Sequence, residues 1–347
     1  MANEDELKSG ATIAQIAQMA GVSVATVSRV INNSELVKEK TRNRVRDVID
    51  QINYIPNKLA RGLVRQTSKT IGLIVPDIAN PFFSDVMHGI EDVVTPKGYS
   101  IYLFNSNYDH DRENYFLEEM AERRVDGTII SSAFIQNLPF IQRLNGSTMR
   151  IVCIQTKIDG IDCVNTTDYE GMRKLCRHMV DCGHRKIGFI CLDPRVNRLR
   201  LQAYKDSLAE YGIPLNPHYL RDTFRGKYSR NPGYILAKEI LDSPSPPTVI
   251  HALNDYLAFG VYQAAKERGL KIPDDISVTG FDDLPLSSLM EPPLTTVSQP
   301  AYAMGEASGE LLLKSMEARS PGPAQRREVL FDTSLIIRGS TRELPRG

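Results

Sequence analysis

The sequence is poor in recognisable chemistry. Its six histidines form no HExxH pair, and it has neither a GxSxG elbow nor a GxxxxGKS/T loop. These absences remove the usual signatures of zinc hydrolases, serine hydrolases and phosphate cradles. Asp282 and Asp283 are adjacent, but neighbouring side chains usually diverge, so an enzyme reading has little support. The five cysteines, Cys153, Cys163, Cys176, Cys182 and Cys191, are odd in number and lack metal-site spacing. Buried reduced thiols are the first reading and a redox switch the second. No run of ~18 apolar residues occurs, so no membrane-spanning helix is expected. The opening MANEDELKSG is polar and lacks the apolar core of a secretory signal. A cytoplasmic protein without metal or cofactor, and without a membrane partner, is the expectation. At 347 residues it is long enough for two or three folding units.

Net charge is also missing, at +0 overall, but it is unevenly spread: from Ser9 to Lys69 ten Lys or Arg face four Asp or Glu, a local +6. This basic stretch opens with TIAQIAQMAGVSVATVSRVINN, Thr12 to Asn33, which reads as helix, tight turn, helix. Ile13, Ile16, Ala17 and Ala20 have the spacing of a buried helical stripe. Thr12 can cap the first helix and Ser23 the second, and Gly21 permits the turn between them. Val27, Val30 and Ile31 face inward, which leaves Val24, Ala25, Ser28 and Arg29 outward. The start of a second helix is what reaches base edges in such a motif. Arg29 suits a guanine, and Val24 or Ala25 a thymine methyl.

A third helix is expected from about Lys40 to Gln51, packed through Val45, Val48, Ile49 and Ile52. Its outer face carries Lys38, Lys40, Arg42, Arg44 and Arg46, as phosphate neutralisation requires. The segment NYIPNKLARGLVRQTSKT follows. Pro56 can open a short helix, too short to be stable alone, so it should fold on a partner. Ala60 and Leu63 share one face beside Arg61 and Arg65, which suits a wedge in the minor groove. A plain basic linker is the alternative.

The runs SVATVSRVINN, VKEKTRNRV and NYIPNKLARGL resemble the lactose repressor (LacI/GalR) family of bacterial transcription regulators, and the resemblance spans nearly the whole chain. It implies operator contacts at Ser23, Val24, Ala25, Thr26 and Arg29, with Thr12 and Ser28 beside them. Asn32, Tyr54 and Asn57 match positions near the sugar-phosphate backbone, and Ala60 and Leu63 match the hinge helix, with Leu63 prying open the central base step. It implies a helix-turn-helix domain over 1–55, a hinge over 56–69, an effector-binding core over 70–340 and a tail over 341–347.

From Thr70 the pattern becomes short apolar runs alternating with helical segments. TIGLIVPD, YSIYLFNS, DGTIISS, RIVCIQT, KIGFICLD, PTVIHAL and DISVTGFD read as buried strands. Such alternation implies parallel sheets covered on both faces, with ligands beyond the strands' carboxyl ends. The expected fold is therefore an all-α helix-turn-helix domain plus an α/β, periplasmic-binding-protein-like core of two parallel-sheet subdomains. The missing secretory signal argues against a periplasmic sugar-binding protein itself. By the resemblance the chain crosses between subdomains, the first holding about 70–167 and 300–327, the second about 168–299 and 328–340.

Arg200, Asn254 and Asp282 stand at expected strand ends, where guanidinium, amide and carboxylate can bind a polyol or a carboxylate. Helix caps and surface ion pairs are the alternatives, and Asp255 is read as a cap or support. The resemblance places Asn80, Phe82 and Phe83 across the cleft, and Tyr228 where an aromatic stacks on the ligand. Gln155 replaces a common aspartate and Lys227 another, and Arg195 and Arg198 lie near Arg200. These changes point to an anionic effector such as a sugar acid, with a neutral monosaccharide as the alternative. The expected function is a repressor of carbohydrate genes, a homodimer released from a near-palindromic double-stranded operator by a small molecule. Control by a phosphorylated carrier protein, as in the family's catabolite regulator, ranks behind it. The tail after Arg338 lacks heptad leucines, which argues against a tetramer.

Overall fold

A computed structural model describes residues 12–31, 36–54, 67–192, 198–222, 232–317 and 327–345. The chain divides into two compact units, Met1–Ser68 and Lys69–Gly347.

The smaller unit is helical. In α1 (Ile13–Met19), the Thr12 hydroxyl accepts from the Gln15 amide while Gln15 accepts back from the Thr12 amide, a reciprocal capping box. Gly21, at φ +59°, turns the chain left-handed into α2 (Val24–Ile31). Ser23 Oγ accepts from the Thr26 amide at 3.2 Å and caps α2. Val27 and Val30 of α2 pack with Ile16, Ala17 and Ala20 and with Val45 and Val48 of α3 (Glu39–Gln51). Ile13, Ile49 and Ile52 close this small core from its rim.

The larger unit is built on two parallel sheets. The first has the order β11-β5-β4-β3-β1-β2, from β1 (Thr70–Val75), β2 (Ser100–Asn105), β3 (Gly127–Ser131), β4 (Arg150–Ile154), β5 (Asp162–Thr166) and β11 (Glu328–Phe331). Along β1, Ile71, Leu73 and Val75 enter the apolar layer beneath α4 (Pro81–Val94) and α11 (Ala301–Glu317). Ile74 enters the opposite layer, with Leu117 and Met120 of α5 (His110–Glu122) and Ile141 of α6 (Leu138–Leu144). Strand alternation with both faces covered explains why the run is continuously hydrophobic. The second sheet, β7-β6-β8-β9, comprises β6 (Ile187–Ile190), β7 (Leu220–Arg221), β8 (Val249–Ala252) and β9 (Ser277–Thr279). It is covered by α7 (Asp168–Asp181), α8 (Arg198–Glu210), α9 (Pro232–Leu241) and α10 (Asp255–Glu267).

The last crossing between halves differs from the expectation. β11 pairs in parallel with β5, Glu328 opposite Cys163, so 328–331 belong to the first sheet. β12 (Ser334–Ile336), antiparallel to β10 (Thr296–Ser298), and the residues after it belong with the second half. The crossing therefore falls after Phe331 instead of before Glu328. The open edge of β5 needed a partner for its ladder groups, and the returning chain supplies one.

Candidate DNA interface and effector cleft

In the helical unit the outward positions of α2 are Val24, Ala25 and Arg29, all exposed, with Val24 at 51%. Thr26 and Ser28 are half-buried, and the Thr26 hydroxyl lies 2.9 Å from Ser23 Oγ. Lys38, Lys40, Arg44 and Arg46 are exposed. Arg42 is not part of that outer face: it is half-buried, and its Nη2 donates to the Val37 carbonyl at 3.4 Å. Tyr54 packs its ring on the small core. Asn32, Asn57, Ala60 and Leu63 lie outside the described residues, as do Arg195, Lys227 and Tyr228.

In the larger unit polar side chains gather at the carboxyl ends of the strands. Arg200, 4% exposed, begins α8, with its Nε and Nη1 both engaged. Its Nε donates to Asp168 Oδ2 at 2.8 Å and its Nη1 to the Leu253 carbonyl at 3.0 Å. Nη1 also stands 3.6 Å from Asp282 Oδ1, and the guanidinium lies 3.7 Å above the Phe281 ring. Asp282 is buried too and accepts from Gln299 Nε2 at 2.6 Å. Burial pushes the Asp282 carboxyl well up, and the Arg200 guanidinium pulls it back. Gln155 joins from β4: Ser132 Oγ donates to its Oε1 at 3.0 Å, and its Nε2 reaches Gln299 Oε1 at 3.4 Å.

The backbone here is strained in a consistent way. Asn107, Tyr108, Ser132, Gln155, Asp282 and Asp283 all have positive φ, from +53° to +118°, although none is glycine. All six lie within four residues of the ends of strands β2, β3, β4 and β9. Non-glycine residues hold such angles only where their surroundings over-determine them, and such strain concentrates at ligand sites. A cavity of about 350 Å³ opens beside Asp282 and Gln299, bordered by Phe82, Asp85, Asp283, Leu284 and Tyr302.

Other expected site residues have structural partners. Asn80 is buried and caps α4, its Oδ1 accepting from the Phe82 amide at 3.1 Å. Phe82 borders the cavity, whereas Phe83 is packed in the first half's core with the two rings edge to face at 5.2 Å. Asn254 is the N-cap of α10, accepting from the Leu257 amide at 2.9 Å. Asp255 is therefore not the cap. Fully buried, it accepts from the Leu284 amide, Ser287 Oγ and Thr296 Oγ1, at 2.9, 2.6 and 2.6 Å. It thereby fixes the turn that carries Asp282.

Sequence reasoning missed Asp168, Gln299, Asp77 and two tyrosines. Tyr108, on the loop after β2, packs against the second half's core, and Tyr256 of α10 packs against the first half's. Burial raises the Tyr108 phenol, with Asp77 and Asp282 adding to the rise. The only signal in the sequence was Tyr108's place just beyond a strand end.

These two arrangements match known proteins. The sequence family described as bacterial regulatory proteins, lacI family, matches residues 12–57, and the periplasmic binding protein-like domain matches 176–341. The HTH-type transcriptional repressor CytR of Escherichia coli (strain K12) is 33% identical over 97% of this chain and 98% of its own. This chain belongs to the lacI family. Among solved structures, the Lac repressor dimer bound to operator and the anti-inducer ONPF superposes with a TM-score of 0.79 at 28% identity, covering 96% of this chain and 99% of that one. A LacI family transcriptional regulator from Enterococcus faecium with bound ribose gives 0.68 at 31% identity, covering 79% and 99%. The lacI-family fold, a helix-turn-helix domain with an α/β core, is thus established here, and with it the class of ligand-responsive transcriptional repressors. No helix among the described residues is long and apolar enough to cross a membrane.

Proposed function

We propose that this lacI-family repressor binds a near-palindromic operator as a homodimer in the bacterial cytoplasm and is released by a neutral, polyhydroxylated small molecule. It acts by binding, not by catalysis. The observation that supports the effector class is the charge of the cleft. Among the described residues, Asp168 and Asp282 face one guanidinium, Arg200, whose Nε and Nη1 are already engaged. Among the described residues an anion would meet two acidic side chains around an arginine already engaged, whereas vicinal hydroxyls can donate to Asp282 and accept from Gln155. The ribose bound by the E. faecium relative has that chemistry. Gln155, neutral where the family often has aspartate, favours the alternative of a sugar acid.

Effector and operator are linked through reciprocal affinities: an inducer must bind the free repressor more tightly than the operator-bound form. Two α2 helices read the half-sites through Val24, Ala25 and Arg29, and Leu63 of each hinge wedges the centre. The deciding experiment is a thermal-melting screen with D-ribose, other neutral sugars, uronic acids and sugar phosphates, since a ligand of the folded state raises the melting temperature by mass action. Stabilisation by neutral polyols alone supports the proposal. Stabilisation by acids alone replaces it with the sugar-acid reading. No stabilisation by any compound moves control to a protein partner, for which a phosphorylated carrier protein is the first to try.

A further inference from the structure

Five side chains close a ring where the chain passes between the two halves of the core. Thr166 ends β5 and Asp168 begins α7 on the first passage, while Gln299 lies between β10 and α11 on the second. The Thr166 hydroxyl lies 2.9 Å from Gln299 Oε1 and close to Asp168 Oδ1, and its single proton can serve either acceptor, one at a time. Gln299 Nε2 donates to Asp282 Oδ1, Asp282 Oδ1 faces Arg200 Nη1, and Arg200 Nε returns to Asp168 Oδ2, at 2.6, 3.6 and 2.8 Å. The third passage is stitched alongside: the Thr333 amide donates to Thr167 Oγ1 and the Thr333 hydroxyl to the Thr167 carbonyl, both at 2.9 Å.

Thr166, Gln299, Asp282 and Arg200 are each at most 6% exposed. Where these groups are buried, a bond opened without a new partner costs their desolvation. A displacement of Asp282 must then drag Gln299, and one of Arg200 must drag Asp168. Both end on Thr166, in the first of the segments that link the halves.

We infer that Gln299 and Asp168 are positioning residues, which hold Asp282 and Arg200 in register for a ligand and pass any shift of that pair into the crossing segments. The inference rests on the reading of Arg200 and Asp282 as effector residues, but its test needs no effector.

The test is hydrogen exchange of the full-length, ligand-free protein by mass spectrometry. Gln299→Glu sets a carboxylate against Asp282 and should break the ring. Amides of 166–168 and 333–334 should then exchange about tenfold faster, as expected for the loss of one buried bond. The double variant Gln299→Glu, Asp282→Asn relieves the carboxylate repulsion and restores that link with reversed polarity, but it turns an amide N–H toward Arg200 Nη1, so exchange should return only part of the way to wild type. Faster exchange confined to 296–301, or a double variant no slower than the single, overturns the inference. If Gln299→Glu melts without cooperativity, Thr166→Ala breaks the same ring without adding charge and is judged by remote exchange at 333–334. An intact ring in a protein that no compound stabilises counts against the effector reading alone.

Discussion

Arg29 stands exposed on the outward side of α2, and its neighbours Val24 and Ala25 offer only small apolar contacts. On the proposed reading, hydrogen-bonded base reading by that helix start falls mainly to one guanidinium. Arg29→Ala should cost about 1–3 kcal/mol on an operator selected from random sequence and relax preference at one base pair. Equal loss on operator and on random DNA would show a phosphate contact instead. A different residue-scale effect lies in the core. His251 is fully buried, its Nδ1 3.1 Å from Thr279 Oγ1 and its Nε2 unpartnered. Burial, with Arg200 nearby, pushes its pKa down from 6.5 to about 3. The unfolded chain therefore takes the proton first, so the stability of the neutral ring is whole above about pH 6.5 and is lost as pH falls toward 3. In urea unfolding, the advantage of wild type over His251→Gln should shrink by about 2 kcal/mol between pH 8 and pH 5. A difference that stays constant with pH would refute this. The raised carboxyls Asp282, Asp255 and Glu113 act in the opposite sense, which is why the comparison must be with the variant and not with the total curve.

At the scale of elements, α4 and α11 pack closely enough to bring their backbones together at glycines. A Cβ on Gly89 would lie 2.1 Å from the Tyr302 carbonyl oxygen, and one on Gly305 would lie 2.1 Å from that of Val86. Neither oxygen can swing aside as a side-chain tip could. Gly89→Ala should lower stability by about 1–3 kcal/mol, despite alanine's better helix propensity, and a melting temperature unchanged or raised would contradict the packing. Strands β1, β3, β4, β6 and β8 were legible as apolar runs because both faces of each are covered. β5, DCVNT, was not, since polar residues interrupt its buried positions. β10 and β12 are three residues each, too short for any period to emerge.

For the whole molecule, reading DNA and sensing a ligand are separate tasks on separate units, joined only through linkage. Asp282→Asn should therefore abolish ligand-induced release while leaving operator affinity in the absence of ligand within about twofold, a difference small on the 5–150-fold scale of allosteric coupling. Titration of operator binding with and without the hit of the melting screen checks this; loss of operator binding with normal ligand stabilisation would reverse the assignment. The local excess of +6 over Ser9 to Lys69 also implies that operator affinity falls steeply with salt, whereas the ligand's affinity does not.

The sequence alone determined the helix-turn-helix, its caps at Thr12 and Ser23, the change to alternating strands and helices, and the placing of Arg200 and Asp282 at strand ends. Each depends on neighbours within a turn of helix or a strand's length, where side-chain period and capping chemistry act directly. Only the tertiary structure decided that Gln299, Asp168 and Thr166 meet that pair, that Leu284, Ser287 and Thr296 take up Asp255, and that β11 returns to the first sheet. These depend on groups as many as 165 positions apart, such as Arg327 and Asp162 beside the β11–β5 pairing. What brings them together is the need of buried polar atoms and an open sheet edge for partners, and local periodicity does not encode which distant segment will supply them.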